Sequence, residues 1–279
     1  MNHMRNAFSV DVEDYFQVLA FESVIKRENW PHYELRVRRN VDAILELMEQ
    51  RQVRGTFFVL AWIAERAPQM VRQIAAAGHE IASHGCLHER VSTLTPTRFA
   101  ADVRSSKSVL EDQGGQEVIG YRAPSYSIDG STQWAFPALA EAGYRYSSSI
   151  FPGRHDLYGM PEAPRFPYHP LGEGLLEIPI TTVEVAGRRM SCGGGGFFRL
   201  WPYRVFRAAI RHVNVVDAQP AVFYMHPWEV DPGQPRIHAA PLRSRFRHYL
   251  NLDRVVPRLR RLLSDFSWGR MDEVFGVRQ

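Results

Sequence analysis

The chain has 279 residues, 45% of them apolar, which is enough to bury a large core in one barrel-sized domain or two small ones. Its net charge of +4 comes from dispersed arginines, and those in helical patterns (Arg38, Arg39, Arg258, Arg260, Arg261) read as solvated faces, with no nucleic-acid-binding motif beside them. Two cysteines, Cys86 and Cys192, argue against a disulfide framework and fit a reduced compartment.

The first residues contain no apolar leader or small-residue cleavage site, and nowhere do about 18 uninterrupted apolar residues occur, so the expectation is a soluble, cytoplasmic protein with no transmembrane segment. No internal repeat stands out, and Gly193 to Gly196 is the one low-complexity tract.

In chain order, Ala7 to Val12 reads as a buried strand that delivers Asp11, Glu13 and Asp14 at or just past its end. Val41, Ile44, Leu45 and Met48 repeat at helical spacing, and Gly55 to Leu60 follows as a second strand. Met70, Val71 and Ile74 mark a helix stopped by Gly78; His79 to His84 is the third strand. Thr95-Pro96 predicts an N-cap with proline at the first helical position, with Phe99, Val103 and Leu110 lining the helix. Val118 to Arg122 is a fourth strand, Thr132 to Ala142 a helix closed by Gly143, Tyr144 to Ser149 a fifth strand and Leu175 to Thr181 a sixth. After a helix from Tyr203 to Val213 comes a seventh apolar strand, Pro220 to His226, and a last amphipathic helix covers Val255 to Phe266. Strands alternating with helices predict a parallel sheet with helices outside. Asp11, His84, Arg122 and His226 each end a different strand, and a barrel gathers such ends on one rim where an open sheet spreads them; a barrel is therefore expected.

The chemistry centres on His84-Gly85-Cys86-Leu87-His88, two imidazoles at metal-ligand spacing where a strand gives way to a turn. With a carboxylate from Glu13 or Asp14 they can hold a divalent ion; residues i and i+2 share a strand face, which favours Glu13 without settling the choice. A free carboxylate nearby, Asp11, would act as general base toward a water acidified by the ion. Arg122 would keep that base ionised, the Pro124 turn could aim a backbone N–H such as that of Tyr126 at an oxyanion, and His226 is placed to act as general acid.

Ser-Val-Asp11-Val-Glu-Asp14, His84-Gly-Cys-Leu-His88, Arg122-Ala-Pro-Ser-Tyr126 and Met225-His226-Pro, in this order over residues 7 to 228, resemble the NodB-type polysaccharide deacetylases, metal-dependent carbohydrate esterases with a distorted (β/α)7 barrel. The stretches His226 to Pro235 and Arg245 to Asn251 resemble the C-terminal extension of the subfamily found with exosortase and exopolysaccharide gene clusters. The resemblance implies a single domain, with a barrel over 1–228 and a helical extension over 229–279 packed on it. It implies an N-acetylated saccharide substrate, and a divalent metal, Zn2+ being the expected ion, held by His84, His88 and Glu13 or Asp14. Asp11 would be the base, Arg122 its orienting partner and His226 the acid that protonates the departing amine, with an N–H near Tyr126 on the oxyanion.

One departure stands out: related chains often carry an acid where this one has Ser147, which leaves Glu177 as a candidate partner for His226 and a weakly active or silent saccharide-binding barrel as an alternative. Hydrolysis of a non-sugar amide, as in allantoinase-like relatives, is a second. Gly193 to Gly196 could form a sugar-facing lid or an irregular loop, and Tyr126, Trp201 and Trp228 could stack on a sugar or pack in the core.

Overall fold

In the computed structural model, which describes residues 4–156 and 158–278, the first apolar run becomes β1 (Arg5–Val12), the strand on which the main sheet is centred. The chain continues through α1 (Val37–Glu49), β2 (Thr56–Val59), α2 (Ala61–Arg66), α3 (Pro68–Ala76), β3 (Glu80–Ser83), α4 (Pro96–Gly114), β4 (Gly120–Tyr121), α5 (Ala135–Glu141), β5 (Tyr146–Ser147) and β6 (Leu176–Glu177). An antiparallel hairpin of β7 (Thr182–Val185) and β8 (Arg188–Ser191) interrupts the alternation. Then come α6 (Gly195–Leu200), α7 (Tyr203–Val215), β9 (Val222–Met225), α8 (Leu242–Tyr249), α9 (Val255–Asp265), β10 (Ser267–Gly269) and α10 (Met271–Val274).

The main sheet is parallel throughout and runs β9-β1-β2-β3-β4-β5-β6. Its register follows from period-two burial. Ala7, Phe58, Ala82, Ile119, Tyr146, Ile178 and Val222 form a core inside the curled sheet, whereas Phe8, Val10, Phe57, Val59, Ile81 and Phe223 pack outward under the helices. Between β6 and β9 the cylinder is closed by loop residues: the Val222 N–H donates to the Thr181 hydroxyl at 2.6 Å, and the Tyr224 N–H to the Gly193 carbonyl at 2.7 Å. This is the barrel expected from the polar strand ends, in the distorted (β/α)7 form that the resemblance implies.

Several elements differ from expectation for local reasons. Leu175 to Thr181 narrows to the two paired residues Leu176 and Glu177, although the N–H groups of Ile178 and Ile180 still donate to the Ser147 (2.8 Å) and Ile150 (3.0 Å) carbonyls. Thr95 caps α4 as expected, its hydroxyl accepting the Arg98 N–H at 3.3 Å. The C-terminal segment is more than a helical extension: Ser267, Trp268 and Gly269 pair in parallel with Arg5, Asn6 and Ala7, and Met271 enters the inner core. Three residues are too few to show a strand pattern in sequence. Among the described residues no helix is long and apolar enough to cross a membrane, and both cysteines are free thiols.

Candidate functional site

Four strand ends, those of β1, β3, β4 and β9, and the turns that follow them build the site. At the end of β1 the Glu13 N–H donates to the Asp11 carbonyl at 3.0 Å, a tight turn that bends the chain as it leaves the sheet. After β3, Gly85 (φ 78°) and His88 (φ 52°) adopt left-handed conformations, folding the His84–His88 loop back on itself. That loop is pinned from outside: Arg27 donates to the carbonyls of Leu87 (2.8 Å) and His88 (3.0 Å), and Asp102 accepts the Cys86 N–H at 3.2 Å.

As a result Glu13, His84 and His88 come together, each offering one ligand atom with all of these within 4.8 Å of one another, and all three residues are buried. Glu13 Oε2 lies 2.8 Å from His88 Nε2, and Trp228 Nε1 donates to Glu13 Oε1 at 3.3 Å. His84 Nδ1 lies 2.8 Å from the Arg122 carbonyl; this acceptor holds the ring proton on Nδ1 and leaves the Nε2 lone pair for the site. Two imidazole nitrogens and one carboxylate oxygen, buried and convergent, fit a divalent ion with open coordination positions. Burial opposes the charge on Glu13, but His88 and His226 outweigh it and pull the carboxyl down to about 2, while burial pushes the His84 imidazole down to about 4. Both groups are thus in their ligating protonation states at neutral pH.

Asp14 is not part of this group. Its Oδ2 accepts the N–H groups of Arg36 (2.6 Å) and Val37 (2.8 Å) at the start of α1, and Oδ1 accepts that of Tyr15 (2.8 Å). With its oxygens taken by backbone donors it caps a helix, so Glu13 is the carboxylate facing the histidines.

Asp11 sits beside the group without entering it. Arg122 Nη1 donates to Asp11 Oδ1 at 2.6 Å and to Ser9 Oγ at 2.9 Å, while Nε and Nη2 reach the Ser148 carbonyl (3.2 Å) and hydroxyl (3.1 Å). The fully buried guanidinium lies 4.0 Å over the Phe58 ring. A cation so fixed pairs with the aspartate and aims its carboxylate. The Tyr126 hydroxyl approaches Asp11 Oδ2 at 3.3 Å, but the Tyr126 N–H, expected as an oxyanion donor, already donates to the Ala123 carbonyl at 3.1 Å. Ser125 and Tyr126 both have positive φ (56° and 49°), strained conformations of the kind that cluster at functional sites.

His226 completes the rim. Its Nδ1 is 2.8 Å from Glu229 Oε1, Glu229 Oε2 accepts from Arg199 Nε at 2.8 Å, and Nε2 faces Glu13 Oε1 at 3.6 Å. Burial disfavours the imidazolium, yet Glu13 and Glu229 together raise its pKa to about 9. The partner of His226 is therefore Glu229, not Glu177: Glu177 Oε1 accepts the N–H groups of Ser149 (2.8 Å) and Ile150 (2.9 Å). Ser147 donates its hydroxyl to Ser149 Oγ at 2.8 Å.

Trp228 lines the cavity by its edge only. One face stacks on His226 (5.1 Å between centroids) and the other on His248 (4.0 Å), so neither is open to a sugar. Trp201 packs against Phe197 and the core. Gly193, Gly194 and Gly195 form a wall, not a lid: they are buried, and a side chain on Gly195 would run into the Glu229 carboxylate. The resulting cavity, about 200 Å3, is lined by Asp11, Glu13, His84, His88, Ser125, Tyr126, Tyr224, His226 and Trp228, among others. Ser9 and Tyr224 stand two residues before Asp11 and His226 on their strands, so period two could have found them. Glu229 and Arg199 had no such signal.

Residues 29–147 match the family model for polysaccharide deacetylases, and residues 148–276 match that of a domain of unknown function, DUF3473. A peptidoglycan-N-acetylglucosamine deacetylase of Bacillus cereus is 28% identical over 102 residues, covering 37% of this chain and 46% of that protein. A chitooligosaccharide deacetylase of Bradyrhizobium sp. is 27% identical over 100 residues, covering 36% and 45%. The chain thus spans about half the length of these curated relatives. A solved structure of a probable polysaccharide deacetylase from Pseudomonas aeruginosa PAO1 superimposes with a TM-score of 0.62 at 17% identity, over 97% of this chain and 89% of that one, which shows a shared fold. The one barrel runs through both segments, residues 29–147 being similar to polysaccharide deacetylases and residues 148–276 to the domain of unknown function.

Proposed function

We propose that this protein is a metal-dependent hydrolase that removes N-acetyl groups from amino sugars of a polysaccharide or its precursor, during exopolysaccharide assembly. The observation that carries the reading is one cavity holding a Glu13–His84–His88 ligand set, an arginine-clamped Asp11 and a carboxylate-paired His226. The exopolysaccharide setting is supported by the likeness of the C-terminal stretch to the extension described above.

The chemistry follows from the side chains. A divalent ion, with Zn2+ the expected one, held by Glu13, His84 and His88 would supply Lewis-acid polarisation of the acetamide carbonyl and lower the pKa of the attacking water. Asp11, aimed by Arg122, takes the proton from the attacking water. His226, on the opposite side of Glu13 from His88 in the chain of contacts, gives a proton to the departing amine; Glu229 holds its Nδ1 and favours the imidazolium. Acetate and a free amino sugar are the products.

The test is metal analysis of the purified protein together with acetate release from N-acetylglucosamine oligomers and from small amides. Stoichiometric metal that His84→Ala abolishes, with turnover of the oligomers, is expected. Turnover of small amides alone would make the enzyme a general amidohydrolase, and saccharide binding without turnover at any metal loading would make it a silent barrel; either result overturns the proposal.

A further inference from the structure

One face beside the mouth of the site is used by none of this chemistry. A second cavity, about 490 Å3, adjoins the catalytic one and shares Val18, Tyr158, Tyr224, Trp228 and Arg247 with it. Its outer wall comes from α6 and α8, and the side chains there are turned to water: Leu200 is 51% exposed and Phe246 62%, while Leu242 on α8 is 77% exposed. Leu242 and Phe246 stand four apart and so share a helix face. The charge carried by α8 itself has one sign, since the helix holds Arg243, Arg245 and Arg247 and no acid. Arg243 and Arg247 lie 3.0 and 3.1 Å from the same carboxylate, Asp156, so that pairing leaves a net positive charge.

Large apolar side chains held together in water mark an interaction surface. Aliphatic and phenyl groups ringed by arginine match a partner that is anionic at its surface and hydrocarbon just beneath. A second copy of this chain is a poorer match, since a two-fold contact through α8 would set its arginines against their own equivalents. We propose that this face seats the protein on an anionic lipid bilayer, with Leu200, Leu242 and Phe246 entering the acyl boundary and Arg243, Arg245 and Arg247 meeting lipid phosphates. The catalytic cavity then opens along the membrane surface, where a membrane-associated saccharide would present its sugars. The inference goes beyond the deacetylase reading, and vesicle binding is measured without turnover.

The experiment is sedimentation of the full chain with phosphatidylcholine vesicles, with and without phosphatidylglycerol, at low and high salt. Pelleting with the anionic vesicles is expected, weakened by salt and reduced about tenfold or more in Leu242→Asn/Phe246→Asn and in Arg243→Gln/Arg245→Gln. Near-ultraviolet circular dichroism checks that each variant is folded, and Leu242→Asn alone is expected to retain wild-type acetate release from soluble oligomers. The proposal is overturned if the protein stays in the supernatant with anionic vesicles, if neutral vesicles pellet it equally, or if folded variants pellet like the wild type. A dimer that Leu242→Asn/Phe246→Asn dissociates, without vesicle binding, would give the face to a second copy and equally overturn it.

Discussion

The two ends of the barrel bury carboxylates under opposite rules. At the carboxyl rim, Asp11 lies 2.6 Å from Arg122 and Glu13 lies 2.8 Å from His88, and Glu13 stays ionised with a carboxyl near 2. At the other end of the same interior face, Glu80 stands four residues before His84 on the same run of chain, and burial together with the neighbouring Asp272 pushes its carboxyl up to about 8. Glu80 accepts from Thr56 Oγ1 (2.5 Å), Tyr146 Oη (3.0 Å) and the Asp272 N–H (3.3 Å), while Arg270 is engaged by Asp272. The difference is a cation within reach: with one, a buried carboxylate keeps its charge and can do chemistry; without one, it becomes a neutral hydrogen-bonded plug.

The comparison breaks most visibly at Arg122. Arg122→Met leaves Asp11 as a buried charge without its partner, so a stability loss of about 3–5 kcal/mol is expected in chemical denaturation, with loss of acetate release. Asp11→Asn keeps an acceptor for the guanidinium but not its counter-charge, so a smaller stability loss is expected, while kcat for acetate release should drop about a thousandfold; a folded Asn variant with near wild-type turnover would remove Asp11 from the role of base. Glu229→Gln should lower kcat on the order of a hundredfold with little change in KM, since His226 loses the carboxylate that orients and charges it.

The smallest effect sharpens the other end. Because the folded-state pKa of Glu80, about 8, lies above its ordinary 4.5, ionisation penalises the native state. The penalty is absent below pH about 4.5, grows as pH rises to about 8 and is constant beyond. Glu80→Gln removes it, so the Tm of the variant relative to wild type should climb across that window and level off above it. A Tm difference that does not change with pH would show Glu80 to be ionised in the folded protein, as at the rim.

Much of the rim was readable because it depends on local geometry. Asp11, His84, Arg122 and His226 end apolar runs, and a side-chain period of two puts them on the inner face of a parallel sheet. The same rule favoured Glu13 over Asp14, and the contacts of Asp14 with the N-terminus of α1 explain why the acid one residue later turns away. Glu229 was not readable as the partner of His226, since their pairing depends on a short helical turn after β9, and Glu177 stood at an equally plausible strand position. For Trp228 the sequence leaves a sugar platform and core packing both open, because the aromatic residue itself carries no sign that His226 and His248 cover its faces.

By itself the sequence determined the alternating parallel architecture and the strand ends that carry the polar groups, because both follow from hydrophobic periodicity within a few residues. Only the tertiary structure decided the pairings: Arg199 with Glu229, His248 against Trp228, β10 beside β1 and the exposed face of α8 next to the cavity. These join residues tens to hundreds of positions apart, and their partners are selected by how the curled sheet and its helices pack, which no local pattern encodes.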